Sequence, residues 1–343
     1  MLGAAWAVVP GEGKRGGAAR QPPIAKRGGA PQLRRVAVVV IVLPVFLVIA
    51  LGAVLARSRF LSPALLAELN RLTYFVGLPA YLFSSIAGAT GGGGRALTVF
   101  GVMGGATLLA LGFAYVVAKV RGVPPESMGS FLHAAVRGNL AYVGLPVISL
   151  ALAGRGAGAH WPLAPLAMAP LTVVANALGV LLLLVGHGRP APGALRTLAW
   201  QLATNPLLLS SLAGAAVAAA GFTLPAWLAQ SIAVTGQMAL PLALLCIGGS
   251  LVTMPLRGKR TQALLASVLK VGVTPLLGWP LARWIGLSPE ETLVALLFLA
   301  TPTAAASYTL AGKLGGDEAL AASSVVVSTA LSIVSLSVVL ALV

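Results

Sequence analysis

Long hydrophobic runs recur along the whole chain and are separated by short polar segments. Each run is about twenty residues long, the length that an α-helix needs to cross the hydrocarbon core of a bilayer. We predict ten such spans, at about residues 36–56, 72–89, 97–119, 128–153, 163–186, 201–220, 231–252, 262–285, 291–313 and 319–342. The pattern predicts an all-α polytopic membrane protein, with no segment between spans long enough to form a soluble domain.

The composition supports this fold class. Of the 343 residues, 58% are hydrophobic and 9% are charged, whereas soluble domains carry about 25% charged residues. The single cysteine, Cys246, excludes a disulfide within the chain and a cysteine-rich metal site. The net charge of +16 would indicate nucleic acid in a soluble protein. Here the basic residues lie in short loops, so we expect membrane lipid as a partner and no nucleic acid.

The loop charges predict an orientation in the membrane. Alternate loops, counted from the first span, carry most of the basic residues: Arg57, Arg59, Arg71, Lys119, Arg121, Arg189, Arg196, Arg257, Lys259, Arg260 and Lys313. The opposite loops carry only Arg95, Arg155 and Arg283. The positive-inside rule places the first set in the cytoplasm and both termini outside.

Residues 1–35 differ from the rest of the chain. They are rich in Gly, Pro, Ala and Arg, show no hydrophobic period, and are predicted to be disordered. Their seven basic residues would favour the cytoplasm, against the orientation that the loops predict. A native start site further downstream, with this extension untranslated, would remove the conflict.

The chain also contains an internal repeat. A shift of 162 residues aligns Pro44 with Pro206, Gly52 with Gly214 and Leu78-Pro79 with Leu240-Pro241 without a gap. A shift of 164 continues the alignment, because Pro125-Glu126 falls on Pro289-Glu290. Chance matches of Leu and Ala are common in membrane proteins, but matched prolines in one register are not. We therefore divide the chain into a first repeat at 36–186 and a second at 200–343.

An odd number of spans in each repeat has a topological consequence. With five spans in the first half, the second half enters the membrane from the opposite side. The chain is thus predicted to be an inverted-topology repeat, a common plan of secondary transporters with alternating access.

Two spans at equivalent places in the repeats contain helix-breaking residues. The fourth span reads RGNLAYVGLP over 137–146, and the ninth reads ATPTAAASY over 300–308. The shift of 164 places Gly138-Asn139 on Pro302-Thr303. Gly and Pro loosen or interrupt a helix, although membrane helices also tolerate them as simple kinks. The matched pair favours two broken helices that cross near the bilayer midplane.

Polar residues within the spans are the functional candidates. Asn139 and Thr303 are expected to contact substrate, while Arg137 or the free helix ends supply positive potential; a purely structural role for Arg137 is equally compatible with the sequence. Lys270 is either an anion contact or a lysine that reaches the membrane interface, and the second is favoured. His133 is more typical of a packing residue than of a proton relay.

Carboxylates are confined to loops and span ends, which disfavours an Asp/Glu proton relay and a carboxylate-bound cation. Binding of sodium by backbone carbonyls of the unwound segments is still compatible with the sequence. We expect no cofactor and no metal site.

Several motifs together resemble the auxin efflux carrier family, which includes plant PIN proteins and bacterial permeases. The resemblance extends from about residue 40 to the C-terminus and rests on LPVF at 43–46 with Gly52, GLPA at 77–80, RGN at 137–139 with GLP at 144–146, Asn205-Pro206, ALPLAL at 239–244, and Pro302-Thr303 with GGD at 315–317.

The resemblance implies ten helices in two inverted halves, with the fourth and ninth broken and crossing as in bile-acid sodium symporters. It also implies a scaffold domain and an elevator domain that carries substrate. Plant members have Pro where Gly138 stands, and they have a long central loop that is absent here, so auxin itself is doubtful as the substrate. The substrate-binding residues expected from the breaks and the resemblance are Arg137, Gly138, Asn139, Gly144, Pro146, Pro302 and Thr303.

The leading functional prediction is a multi-pass transporter of a small organic anion in the bacterial inner membrane, as a monomer or a homodimer. A sodium-coupled symporter is the main alternative. A channel fits matched broken helices less well. An intramembrane enzyme is disfavoured, because the three histidines, His133, His160 and His187, lie far apart with no catalytic motif around them.

Overall fold

The structure is a computed structural model that describes residues 30–89, 93–153, 162–186, 196, 199–200, 203–254 and 260–343, with side chains from residue 40 onward except at 185 and 186. Within these ranges every regular element is helical, and the only β feature is an isolated bridge between Gly138 and Thr303. Most of the extension (residues 1–29) lies outside the described residues, as do His160, His187 and the loop arginines Arg155, Arg189 and Arg257.

The described helices form ten units, five of which are divided by a π-helical turn or a break. Their bounds are α1, Ala30–Arg57; α2, Pro63–Leu72 and Leu78–Ala87 joined by the π-turn Thr73–Gly77; α3, Gly93–Val120; α4a, Pro125–Val136; α4b, the π-turn Leu140–Gly144 followed by Leu145–Ala153; α5, Leu163–Gly186; α6, Pro206–Ala219; α7, Ala226–Gln237 and Ala239–Thr253; α8, Arg260–Val268 and Thr274–Ile285 joined by the π-turn Leu269–Val273; α9a, Pro289–Leu299; α9b, Ala306–Lys313; and α10, Glu318–Leu342.

Six of these units contain a segment long and apolar enough to cross a membrane: α1, α3, α5, α7, α8 and α10. The apolar parts of α4b and α6 are shorter, and α9 is divided by its break. The predicted all-α polytopic fold is confirmed. One difference lies at the start, where α1 begins at Ala30 and so takes in residues 30–35 of the predicted extension.

The helices pack as two groups. In the first group α1 packs along the second segment of α7, and α2 packs along α6 and the first segment of α7. The second group contains α3, α4, α5, α8, α9 and α10, which pack mainly on one another. Exchanging the two halves of the chain exchanges the α1–α7 pair with the α6–α2 pair, as an inverted repeat requires.

Repeat-equivalent glycines make these two pairs close. A Cβ atom on Gly52 of α1 would lie 2.2 Å from the carbonyl oxygen of Leu245 in α7. A Cβ atom on Gly214 of α6 would lie 3.0 Å from the carbonyl oxygen of Phe83 in α2. Both glycines therefore allow helix backbones to approach closely, a common device of membrane helix packing. The sequence match between Gly52 and Gly214 reflects one packing contact made twice.

Candidate functional site

The two broken helices meet backbone to backbone in the second group. The amide of Asn139 donates to the carbonyl of Pro302 at 2.8 Å, and the amide of Ala304 donates to the carbonyl of Arg137 at 3.0 Å. Gly138 and Thr303 thus form a short antiparallel bridge. Under the shift of 164, Asn139 and Pro302 are the repeat equivalents of Thr303 and Gly138, so the crossing is nearly symmetric. The predicted crossing of helices 4 and 9 is confirmed.

Local chemistry explains where the helices stop. Pro302 has no amide hydrogen and biases Thr301 away from the helical conformation. The Thr301 hydroxyl donates to the carbonyl of Phe298 at 2.6 Å. In a continuous helix the amide of residue 302 would donate to this carbonyl, but Pro302 has no amide hydrogen. In the fourth span, Pro146 lies just after a π-turn in which the amide of Leu145 reaches back to the carbonyl of Leu140. The wider turn accommodates a residue that cannot donate.

Thr303 secures the end of the opposite half-helix. Its hydroxyl donates to the carbonyl of Ala134 at 2.8 Å, and its amide donates to the hydroxyl oxygen of Ser328 in α10 at 2.9 Å. The residue is completely buried and does not line the adjoining cavity. A freed backbone carbonyl within a membrane needs such a partner. Thr303 therefore stabilises the crossing of the two broken helices.

A cavity of about 540 Å³ lies against one side of the crossing, between the two helix groups. Its wall from the second group carries the polar residues Arg137, Asn139, Tyr142, Thr172, Asn176, Tyr308 and Thr309. Its wall from the first group carries Asn70, Tyr74, Ser250 and Thr253. The volume falls in the range of small-molecule sites, and both groups contribute side chains that can form hydrogen bonds.

Arg137 and Asn139 carry the groups most suited to binding an anion. A guanidinium nitrogen of Arg137 (Nη1) lies 3.5 Å from Nε2 of His133, and within the described residues Arg137 has no acidic partner. The backbone of Asn139 is satisfied by Pro302, Val143 and Gly144. No hydrogen bond of its side-chain amide occurs within the described part of the chain. One positive charge and one amide are therefore available to a ligand.

The helix ends add positive potential on the same side. The first residues of α4b (140–142) and those leading into α9b (304–306) line the cavity. The first amide groups of a helix have no intrahelical acceptor and carry partial positive charge. None of the acidic side chains in the described ranges lines the cavity. The electrostatic environment suits an anion.

The other predicted site residues lie away from the cavity. Gly144, Pro146 and Pro302 do not line it. A Cβ atom on Gly144 would lie 2.8 Å from the ring of Phe298, so this glycine allows α4b to pack on α9a. The three residues shape the broken helices, and the structure brings only Arg137, Gly138 and Asn139 of the predicted set to the cavity wall.

Lys270 is neither an anion contact of this cavity nor at the membrane interface. It is 1% exposed, and its Nζ donates to the carbonyl of Leu299 at 2.6 Å. The expectation that it reaches the interface is corrected: the π-turn of α8 directs it toward the end of α9a. His133 is buried too, and a Cβ atom on Gly179 of α5 would lie 2.5 Å from its Nε2, so it packs against a glycine of the neighbouring helix.

Several cavity residues were not singled out from the sequence. They are Asn70, Tyr74, Thr172, Asn176, Ser250, Thr253, Tyr308 and Thr309. Asn70 precedes the predicted span at 72–89, whereas in the structure it belongs to α2. Asn176 could have been identified as a candidate from the sequence, because it is an amide within an otherwise apolar span.

Two acidic residues in the described ranges have structural partners away from the cavity. Arg95 at the start of α3 forms a two-pronged ion pair with Glu291 at the start of α9a. Asp317 accepts a hydrogen bond from Ser127 at 2.7 Å and begins α10 as its N-cap. Within the described residues no group of three or more His, Cys, Asp or Glu side chains is placed to hold a metal ion.

Comparison with protein families agrees with this architecture. The sequence model of a family described as membrane transport protein matches residues 37–186 and then residues 182–340. The family pattern therefore occurs twice along the chain, once for each inverted half. A comparison with curated protein sequences yields no match.

Proposed function

The chain belongs to the membrane transport protein family, the family of auxin efflux carriers and PIN-like proteins, and from this premise we propose that it moves a small organic anion across the membrane. The family is one of transporters and not of enzymes. The observation that carries the proposal is the cavity at the crossing. It joins Arg137, the Asn139 amide and two helix N-termini, and no acidic side chain of the described chain lines it.

The lining also favours a class of anion. One arginine matches one carboxylate, which it can hold through two parallel hydrogen bonds. The remaining polar lining consists of amide and hydroxyl groups such as those of Asn176, Ser250 and Thr309. Such groups, if left unpaired by a purely apolar substrate, would cost binding free energy. We propose a small carboxylate with further polar groups in preference to an indole acid.

The two helix groups suggest the mechanism. The proposed scaffold is the first group, α1, α2, α6 and α7, whose tight α1–α7 contact leaves little room for relative movement. The proposed moving domain is the second group, which contains the whole crossing. Because the cavity lies between the groups, sliding of one along the other would carry the anion from one side to the other, as in an elevator.

The cavity lies toward the loops with most positive charge. Thr253 is at the end of α7 that precedes the basic segment 255–260, and Asn70 is about two turns along α2 from the segment that follows Arg57. With the positive-inside rule, this is an inward-facing state of a protein in a bacterial inner membrane. Lipid contact and a homodimer remain proposals for its partners.

Transport into proteoliposomes tests the proposal. The purified protein should take up a radiolabelled carboxylate from a panel of acetate, malate, benzoate and indole-3-acetate, with saturation and with counterflow, as a carrier does. Flux that neither saturates nor shows counterflow would indicate a channel, and no flux of any carboxylate would contradict the proposal.

Arg137 provides the matched charge test. Arg137→Ala should lower the apparent affinity for the transported anion by about one to two decades, because a charged hydrogen-bond partner is lost. Arg137→Lys should lose less, since it keeps the charge without the planar fork. Arg121→Ala, which removes an exposed cation outside the cavity, is the control. Unchanged affinity in Arg137→Ala, with only a lower melting temperature, would assign Arg137 a structural role.

A further inference from the structure

Lys270 is a fully buried cation that the proposed anion site does not use. It lies in the π-turn of α8, on a helix of the second group, and is 1% exposed. It is absent from the wall of the crossing cavity, and within the described residues it forms no ion pair. A buried ammonium with no carboxylate is costly unless something else compensates its charge.

The compensation comes from the end of a half-helix. Nζ of Lys270 donates to the carbonyl of Leu299, the last residue of α9a, at 2.6 Å. Neighbouring carbonyls at this end already have other donors: Leu296 accepts from the amide of Ala300, and Phe298 accepts from the hydroxyl of Thr301. A helix C-terminus carries about half an elementary negative charge. Leu299 is therefore a freed carbonyl at a negative helix end, with Lys270 as its cation.

The contact is packed tightly beneath the crossing. A Cβ atom on Gly138 would lie 3.2 Å from Cε of Lys270 and 2.5 Å from the hydroxyl of Thr301. The lysine stem thus passes directly under the bridge between the broken helices. Any change in its charge or position acts on the backbone that holds Gly138 and Asn139.

The first half of the chain has no lysine at the position equivalent to Lys270. Under the repeat shift of 164, the position equivalent to Lys270 is Ala106 in α3. In that half, two carbonyls at the end of α4a accept from neutral donors: Ala134 accepts from the Thr303 hydroxyl, and Arg137 accepts from the Ala304 amide. The symmetric fold therefore carries a cation at the end of α9a and has alanine at the equivalent position beside α4a.

In inverted-repeat transporters, freed carbonyls and half-helix C-terminal ends are the places where sodium is coordinated. We propose that the ammonium of Lys270 is a tethered cation that fills such a position at the C-terminal end of α9a and makes a free monovalent cation unnecessary. Transport would then proceed without sodium, a consequence that rests on the proposed function. The cation site itself does not, and it can be tested without an anionic substrate.

The test is chemical rescue of thermal stability in the purified full-length protein. Lys270→Ala removes the cation and leaves its space, whereas Lys270→Met removes the charge and fills the space. Lys270→Gln keeps a donor without the charge. Melting temperatures are measured in choline chloride with increasing methylammonium, sodium or potassium at constant ionic strength, because the quaternary nitrogen of choline has no N–H group to donate to the Leu299 carbonyl.

We expect the melting temperature of the wild type to be the same in all four salts. Lys270→Ala should melt at least about 4 °C lower, because it leaves a buried carbonyl unpaired at a negative helix end. Methylammonium should restore at least half of that loss in a saturable manner. Lys270→Met and Lys270→Gln should melt lower than the wild type and should not respond to any of the cations.

Three results would overturn the proposal. They are a Lys270→Ala variant as stable as the wild type, equal responses of the Ala and Met variants to methylammonium, and saturable stabilisation of the wild type by sodium. The last measurement needs no variant, so it decides the question even if Lys270→Ala does not fold. Because no anion is present, these outcomes do not depend on whether the cavity binds a carboxylate.

Discussion

Gly138 is the residue at which the crossing tolerates least change. The Cβ atom of an alanine there would lie 2.5 Å from the hydroxyl of Thr301, which itself holds the carbonyl of Phe298. Gly138→Ala should therefore displace the break and lower the melting temperature by a few degrees, in line with the cost of overpacking. The same variant should weaken anion binding, because Asn139 is the next residue.

The control for this prediction is Gly112→Ala in α3, where an added Cβ atom meets nothing within 4 Å. Differential scanning fluorimetry of both variants measures the effect on stability. Equal melting temperatures for Gly138→Ala and Gly112→Ala would show that the bridge can relax around a methyl group.

At the residue scale the sequence predicted part of the site. Arg137 and Asn139 were recognisable because a charge and an amide beside helix breakers are unusual within a span. The burial of Thr303 was not predictable, because a hydroxyl can face a ligand or a freed carbonyl equally well. Ser250 was missed, since a span that is apolar on nearly every side gives no periodic signal of the face it turns to a cavity. Asn70 was missed because it precedes the predicted span at 72–89.

At the scale of helices, the α1–α7 pair depends on close backbone approach. A Cβ atom on Gly248 of α7 would lie 1.9 Å from the carbonyl oxygen of Ile49 in α1. Gly248→Ala should force the two helices apart and lower the melting temperature by at least about 4 °C. Gly101→Ala, at an open position of α3, should shift it by less than about 1 °C. A Gly248→Ala variant as stable as Gly101→Ala would argue against a rigid scaffold.

The start of α9a is fixed to α3 by one acidic residue. Glu291 is the third residue of α9a, completes a capping box with Ser288, and pairs with Arg95 of α3. Glu291→Ala should lower thermal stability, because it removes a cap and a charge-assisted pair together. Its exposed neighbour offers the control: Glu290→Ala should have little effect. Equal melting temperatures of Glu291→Ala and Glu290→Ala would contradict this role of Glu291.

The breaks in α4 and α9 were predictable because Gly and Pro mark them in the sequence and the repeat aligns them. The π-turns at Thr73–Gly77 and Leu269–Val273 were not. A π-turn admits one extra residue without a distinctive composition, and its position follows from packing. The direction of Lys270, which depends on such a turn, therefore became visible only in three dimensions.

At the scale of the whole molecule, the inverted fold was readable from the repeat and from the odd number of spans. The grouping of α1, α2, α6 and α7 apart from the other helices was not, because it depends on which faces pack together. The side to which the cavity opens follows only when the fold is combined with the loop charges.

That orientation gives a prediction for the whole molecule. In a Cys246→Ser background, Thr253→Cys on the cavity wall and Arg121→Cys in a basic loop should react with an impermeant maleimide in inside-out vesicles. Neither should react in intact cells, because both lie on the side that the positive-inside rule assigns to the cytoplasm. Labelling of Arg121→Cys in intact cells would reverse the proposed topology.

The proposed binding of a small organic anion at the helix crossing depends on Asn139. The most direct test is equilibrium binding of the best transported carboxylate to the wild type, Asn139→Ala and Asn139→Asp in detergent. We predict that Asn139→Ala binds about one to two decades more weakly, since a buried polar partner is lost. Asn139→Asp, nearly identical in shape but negatively charged, should bind more weakly still. Equal affinity in all three folded proteins would place the substrate elsewhere and contradict the account.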